Sequence, residues 1–179
     1  SPIRTLRVPP QNIDAEMALL GSIMLRPLGL NEIMDSVHRD SFYVEKHRLI
    51  YQAMLELARK NEPIDLVSMT AILREQGHLD STGGPTYLSE LLNSVRSSTN
   101  VEYYANLVAG KSTLRNLISA GDEIVELGFN ESDDIEEVLD TAEKTVMAIT
   151  GQVGRSQKFH GIQEILPESW EMINRKSVV

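Results

Sequence analysis

The first hundred residues carry short runs of apolar side chains at helical spacing, separated by proline, glycine and polar turns. In the first run Met17, Leu20 and Met24 recur at intervals of three and four residues, which places them on one face of a helix. Polar turns rich in glycine and proline, such as residues 80–85, end the later runs. The pattern predicts a compact lobe of short helices, with the later helices at residues 30–37, 45–60, 65–77 and 87–95.

Two polar residues stand where helices are expected to begin. Asn12 and Asp65 each precede an apolar run, and their short side chains can accept a hydrogen bond from the open N–H groups of a first helical turn. Gly21 lies inside the first apolar run, where glycine costs about 1 kcal/mol relative to alanine. We expect that cost to be offset by close packing against a neighbouring backbone, which a residue without a β-carbon permits.

Residues 101–150 have a different character, with a longer apolar stripe and no proline. The stripe runs from Tyr104 to Val125 and predicts one long helix that ends near residue 128. Asp133 and Glu136 have the spacing of a capping box and predict the start of a second helix. Because the connection is short, the two helices are expected to form a protruding antiparallel hairpin.

The apolar stripes of this hairpin supply the candidate interaction residues. We selected Leu114, Ile118, Ile124 and Val125 as candidates for an oligomer or partner interface, with Tyr87 at the edge of the lobe as a fifth. The periodicity leaves two interpretations open. Either the stripes pair with a second copy of the chain, or they close on the lobe and each of these residues is plain core packing.

After residue 150 the chain is first polar and glycine-containing, over residues 151–158, and then carries a small apolar set between Ile162 and Ile173. This order predicts a linker followed by the beginning of a short helix. The predicted organisation is an all-α chain with a helical lobe at residues 1–100, a hairpin at 101–150 and a linker at 151–179.

Composition supports helices packed by aliphatic side chains and excludes several kinds of site. There is no cysteine, so disulfides, thiol nucleophiles and cysteine-ligated zinc are excluded. The formal net charge of -9 predicts weak DNA binding, because phosphates are bound by clustered lysine and arginine. No apolar run reaches the roughly 20 residues of a membrane span, and no signal peptide precedes the lobe, so we expect a cytoplasmic protein without a membrane partner.

The sequence contains fragments of chemical motifs but no complete one. Gly110-Lys-Ser-Thr113 resembles the end of a phosphate-binding P-loop, yet Ala105 stands where that motif requires glycine and the flanking pattern is helical. The four histidines, at positions 38, 47, 78 and 160, have no metal-ligand spacing and are predicted to be solvated or to cap helices. The acidic run at residues 131–143 is interpreted as a solvated helix start, with a basic partner as the alternative. We therefore predict no catalytic, cofactor-binding or metal-binding residues.

Several segments together resemble a known family. Val8-Pro-Pro-Gln-Asn-Ile-Asp-Ala-Glu-Met-Ala-Leu-Leu-Gly-Ser22 is similar to the opening signature of the N-terminal domain of the DnaB type of bacterial and phage replicative helicase. The resemblance continues in register to about residue 150. The further matching segments are Asp40–Tyr43 with His47–Arg48, Pro63–Leu66, Gly77–Leu79, Gly83–Gly84 with Tyr87–Leu88, Asn100 with Tyr104–Ala105, and Leu114–Arg115.

The resemblance implies a six-helix lobe, a protruding hairpin and a role in assembly. In that family the hairpins pair, six subunits form a collar on a ring of motor domains, and the collar docks a DnaG-type primase. A helicase loader is a further implied partner. ATP and Mg²⁺, hydrolysis, unwinding and most single-stranded DNA contacts belong to the motor, which is expected to follow residue 179.

Two alternatives to the collar remain open at this point. One is a stand-alone helical adaptor that binds primase or a loader, which a motor encoded downstream in the same reading frame would exclude. The other is a small ATPase that uses Gly110 to Thr113, for which stoichiometric ATP binding is the test.

Overall fold

The computed structural model describes residues 7–95 and 100–152, and regular secondary structure over these ranges is entirely helical. This confirms the predicted all-α fold. A 3-10 turn at Arg39–Ser41 lies between the second and third α-helices. The α-helices are α1 (Ile13–Leu25), α2 (Gly29–Ile33), α3 (Glu45–Arg59), α4 (Leu66–Glu75), α5 (Gly84–Asn93), α6 (Val101–Phe129) and α7 (residues 135–152).

The chain divides into two compact units, and the boundary falls inside α6 between Arg115 and Asn116. In the first unit α1 packs against α3 and α5, and α4 packs against the same two helices. The beginning of α6 also belongs to this unit, because Val101, Ala105 and Val108 are buried in its core. The central core side chains, all fully buried, are Leu19, Leu20, Ile23, Phe42, Ile50, Tyr51, Met54, Met69, Leu73, Leu88 and Leu91.

Both predicted helix caps are confirmed. The Asn12 side chain accepts a hydrogen bond from the Ala15 N–H at 3.0 Å, and the Asp65 carboxylate accepts one from the Ser68 N–H at 2.8 Å. The bond from Ser68 holds the pKa of Asp65 below its ordinary value. These side chains satisfy donors that a helix start otherwise leaves open.

The predicted close packing at Gly21 is also confirmed. A β-carbon placed on Gly21 would overlap the backbone carbonyl oxygen of Leu91 and crowd the side chain of Val95. Glycine at this position therefore lets α1 and α5 approach until their backbones touch.

Several predicted boundaries differ from the structure, including those of α5, which spans Gly84–Asn93 instead of residues 87–95. The second helix ends at Ile33 rather than near Val37, and a turn follows in which the Ser36 N–H and hydroxyl both donate to the Ile33 carbonyl. The capping box predicted from Asp133 is wrong. Its carboxylate accepts a bond from the Asn130 side chain at 2.6 Å, and α7 begins one residue later than the box required.

The second unit, described by itself, contains the rest of α6 and all of α7, joined by residues 130–134. Side chains of both helices line one shared groove, so the helices lie side by side, and the short connection makes them antiparallel. The long helix predicted to end near residue 128 ends at Phe129. Residues 153–179, with the predicted linker and short helix, lie outside the described residues.

Candidate protein-interaction surface

Three of the candidate residues form an exposed apolar stripe along α6. Leu114, Ile118 and Val125 are 45%, 52% and 49% exposed, respectively. An α-helix turns by about 100° per residue, so intervals of four and seven residues place these three side chains on one face. Ile124, the fourth hairpin candidate, is half-buried beside them. A surface helix that exposes a row of large aliphatic side chains has an unsatisfied apolar face.

A second exposed stripe runs along α7. Ile135, Leu139 and Val146 recur at intervals of four and seven residues, and Ile135 and Leu139 are 67% and 63% exposed. These residues fall within the second helix that the sequence predicts, whereas the four hairpin candidates all lie on α6. Their intervals of four and seven residues equal those of the α6 stripe, and this pattern could have added them to the candidate interface residues.

Both stripes lie on the same side of the hairpin. The groove between the helices is lined by Glu123 of α6 and Lys144 of α7. Val125 follows Glu123 by two positions and Val146 follows Lys144 by two, so each is turned about 200° from that groove residue, while Val146 lies about 60° from Ile149 at the other edge of the groove. The side of the hairpin away from Glu123 and Lys144 is therefore apolar on both helices, and we call it the apolar face of the hairpin.

The groove side is lined mainly by small and polar side chains. They include Ser119, Ala120, Thr141, Thr145 and Ala148. Lys144 forms an ion pair with Asp140 at 2.8 Å, and this contact raises the pKa of Lys144. The groove thus combines small and charged side chains with Ile149, whereas the opposite side carries a row of large aliphatic side chains.

Tyr87, the fifth candidate, is nearly buried in the first unit. Its exposed fraction is 9%, and its hydroxyl lies 2.6 Å from His47 Nε2. The ammonium group of Lys46 covers the ring at 3.6 Å from its centroid. Burial, with smaller contributions from Glu90 and Glu16, raises the pKa of Tyr87 to about 12. The contacts of Tyr87 described here are internal to the lobe, and a role in partner binding stays a prediction.

The Tyr87 hydroxyl belongs to a buried network that the sequence analysis missed. Glu16 on α1 accepts hydrogen bonds from the Tyr43 and Val44 N–H groups and from His47 Nδ1. In a neutral imidazole only one ring nitrogen carries a proton. If Nδ1 donates to Glu16, Nε2 of His47 accepts a hydrogen bond from the Tyr87 hydroxyl. The prediction that His47 is solvated or a helix cap is therefore wrong, because Glu16 satisfies its ring inside the core.

Arg115 joins distant parts of the first unit. Its guanidinium donates to the carbonyl oxygens of Pro10 and Ser41, each at 2.7 Å, and lies 5.5 Å from the centre of the Tyr43 ring. Desolvation is the main effect on this group and lowers the pKa of Arg115 from its ordinary value. The forked donor geometry of arginine allows one side chain to hold two carbonyl groups.

The P-loop-like segment is helical. Residues 110–113 lie inside α6, and the Thr113 hydroxyl donates to the Ala109 carbonyl at 3.0 Å. A phosphate-binding loop instead directs its backbone N–H groups at the ligand, which an α-helix interior does not allow. Over residues 7–95 and 100–152 no group of three or more histidine or acidic side chains is arranged to hold a metal ion. Within the same ranges, no helix has the length and apolarity needed to cross a membrane.

Comparison with known proteins decides the family. Residues 8–110 match the family described as the DnaB-like helicase N terminal domain. The chain belongs to this family. The resemblance drawn from the spaced sequence segments is thereby confirmed, and so is the fold that it implied.

Relatives of this DnaB-type domain are much longer proteins. The chain is 40% identical over 169 residues to the replicative DNA helicase DnaC of Bacillus subtilis, covering 94% of this chain and 37% of the relative. It is 40% identical over 167 residues to the replicative DNA helicase DnaB of Geobacillus stearothermophilus, covering 93% and 37%. The chain therefore spans little more than a third of the length of these two relatives.

Solved structures show the same DnaB-type fold. The N-terminal domain of DnaB helicase from Mycobacterium tuberculosis superimposes with a TM-score of 0.75 at 34% identity, covering 79% of this chain and 99% of that one. A DnaB-like replicative helicase, described together with its interactions with primase, gives a TM-score of 0.66 at 29% identity. That match covers 85% of this chain and 35% of the helicase.

Proposed function

We propose that this chain is the collar of a replicative DNA helicase, and that its copies pair through the apolar face of the hairpin. The exposed aliphatic stripes on α6 and α7 carry the proposal, because their members in the second unit lie on one side of it and are exposed. Burial of such a face is favourable by about 25 cal/mol for each Å² removed from water. A second copy offers a face of matching chemistry and length.

Pairing through one self-complementary face gives a two-subunit unit, and three such units can close a ring of six. In this proposal residues 1–100 form the lobe, 101–150 the pairing hairpin, and 151–179 the connection to a motor. The motor supplies ATP and Mg²⁺ binding, most contacts with single-stranded DNA, and unwinding. The lengths of the relatives support this division, since about two thirds of each lies outside the match.

A DnaG-type primase is the proposed docking partner, and a helicase loader is a second one. The structural relative described with its interactions with primase supports the first of these partners. We keep Tyr87, Leu114, Ile118, Ile124 and Val125 as the proposed interface residues.

The pairing claim can be tested on the chain as it stands. Sedimentation velocity over a range of protein concentrations should show reversible self-association, with the dimer as the first species above the monomer. A chain that stays monomeric at every concentration would remove the pairing claim.

Primase docking needs its own measurement. Titration of the chain with the helicase-binding part of a DnaG-type primase should give saturable binding by calorimetry, and binding should increase with the fraction of paired chain. If the chain dimerises but does not bind primase, the docking proposal is wrong and the pairing proposal is unaffected.

A further inference from the structure

The charge of this protein is concentrated in one part of the chain. Residues 116–152 contain ten acidic side chains between Asp122 and Glu143 and one basic side chain, Lys144, which gives a formal net charge of -9. The net charge of the whole chain is also -9, so the remaining residues sum to zero. All ten acidic side chains are exposed.

These acids border the apolar face. Glu143 follows Leu139 by four residues and precedes Val146 by three, so it stands next to both on the surface of α7. Glu136 precedes Leu139 by three residues and stands next to it as well, whereas Glu137 follows Ile135 by two residues and points to the other side of α7. Lys144 is engaged with Asp140 at 2.8 Å, and a single base cannot neutralise ten acids. The hairpin that carries the apolar face thus also carries the negative charge of the chain.

Two forces therefore act in opposite directions when hairpins of two copies meet. Burial of the aliphatic stripes favours contact, and this effect depends little on low concentrations of simple salts. The repulsion between two groups of nine negative charges opposes contact and depends strongly on ionic strength. The Debye length falls from about 30 Å at 0.01 M to about 10 Å at 0.1 M, so added salt removes most of the long-range repulsion.

We propose that the acidic surplus sets an ionic-strength threshold for hairpin pairing, so that copies stay apart in dilute salt and pair when salt screens their charge. This inference rests on the proposed pairing through the apolar face and adds its regulation. The sign is distinctive, because an interface joined by complementary ion pairs weakens when salt is added.

The first experiment measures the dimer dissociation constant of the full chain by sedimentation equilibrium in sodium chloride. Between about 0.01 M and 0.3 M salt, we expect dimerisation to become at least about tenfold tighter and then to level off as screening saturates. Sodium sulfate at equal ionic strength should give a similar curve, because screening depends on ionic strength. A continued rise with a strong preference for sulfate indicates salting-out and overturns the proposal.

The second experiment removes charge instead of screening it. The triple variant Glu136→Gln, Glu137→Gln, Glu143→Gln should dimerise in dilute salt nearly as well as the unmodified chain does in high salt. The control variant Glu62→Gln, Glu75→Gln, Glu102→Gln changes the total charge equally at exposed positions outside residues 116–152 and should keep the original salt dependence. If the two triple variants show the same salt dependence of dimerisation, the proposal is overturned.

Two readouts keep the test decisive. Circular dichroism verifies that α7 stays helical in the triple variant, and the single variant Glu143→Gln, in the middle of the helix, is used if helicity falls. If dimerisation weakens when salt is added, or does not depend on salt, the proposed ionic-strength threshold is wrong and the proposed pairing still stands. Absence of dimers at every ionic strength in all variants overturns the proposed pairing itself.

Discussion

The backbone carbonyl of Leu91 on α5 occupies the space that a β-carbon on Gly21 of α1 would need. The nearest obstacle is backbone, which cannot rotate away as a flexible side chain can. The contact therefore fixes the distance between two helices that form the centre of the lobe.

Replacement of Gly21 by alanine should lower the free energy of unfolding by about 1–3 kcal/mol, since overpacking forces the two backbones apart. Urea denaturation followed by circular dichroism measures the change. Gly110 is the matched control, because it also lies inside a helix but has no heavy atom of the described chain within 4 Å of its added β-carbon. Gly110→Ala should be neutral or stabilising by up to about 1 kcal/mol, and equal losses at both positions would contradict the packing argument.

Ile118→Asp should weaken dimerisation by more than about tenfold, because it places a charge in the centre of a face that pairing removes from water. Ser119→Asp adds the same charge one residue along on the groove side and should change dimerisation much less. Analytical ultracentrifugation of both variants at one ionic strength makes the comparison. If the two substitutions weaken dimerisation equally, the apolar face is not the pairing surface.

Stability should fall in alkaline solution because two buried tyrosines must ionise. Burial raises the pKa of Tyr51, and it raises that of Tyr87 to about 12 from an ordinary value of 10.0. A group whose pKa is higher in the folded state contributes fully to the free energy of unfolding at pH values below its pKa in the unfolded chain. This contribution is lost as the pH rises through the pKa of the folded state. The denaturant concentration at the unfolding midpoint should therefore stay constant up to about pH 9.5 and decrease above pH 10.

The variant Tyr87→Phe tests this assignment because it removes one of the two ionising hydroxyls. It should start less stable near neutral pH by about 1–3 kcal/mol, since His47 Nε2 loses its partner. Above pH 10 its denaturant midpoint should fall less steeply than that of the unmodified chain. Tyr103→Phe, at an exposed position, should match the unmodified chain in both respects.

Arg115→Lys should destabilise the lobe by about 1–3 kcal/mol although it keeps the charge, because a lysine ammonium lacks the fork that reaches both carbonyl groups. Arg74→Lys, at an exposed position of α4, is the control and should be nearly neutral. Thermal unfolding monitored by circular dichroism gives the comparison. A loss at Arg115 no larger than at Arg74 would mean that the two carbonyl contacts contribute little in solution.

Local features of the fold were predictable from the sequence, whereas contacts between distant segments were not. Asn12 and Asp65 act on the helix that follows them, so spacing along the chain was enough. Glycine inside the first apolar run predicted a close approach at Gly21, but not that Leu91 makes it. Glu16 and His47 are separated by 31 residues, and neither one has a signature by itself. The available signal was an acidic residue at the spacing of Leu20 and Ile23, which indicated a buried partner of unknown position.

The interaction surface was predictable in part for the same reason. The periodicity identified the α6 stripe, because every member lies on one helix. It could not show that the α7 stripe faces the same way, since that depends on which residues of the two helices meet. Tyr87 was chosen at the lobe edge, but only the three-dimensional arrangement reveals His47 and Lys46 around its ring.

The Arg115 contacts have a consequence for how a new chain folds during synthesis. The two carbonyl groups that Arg115 holds lie 105 and 74 residues earlier, at Pro10 and Ser41. A ribosome synthesises the chain from its N-terminal end, so Pro10 and Ser41 emerge long before the Arg115 side chain that binds their carbonyl groups. The first five helices can pack together while translation continues, but the segment around Pro10 cannot be held by Arg115 until α6 has left the exit tunnel.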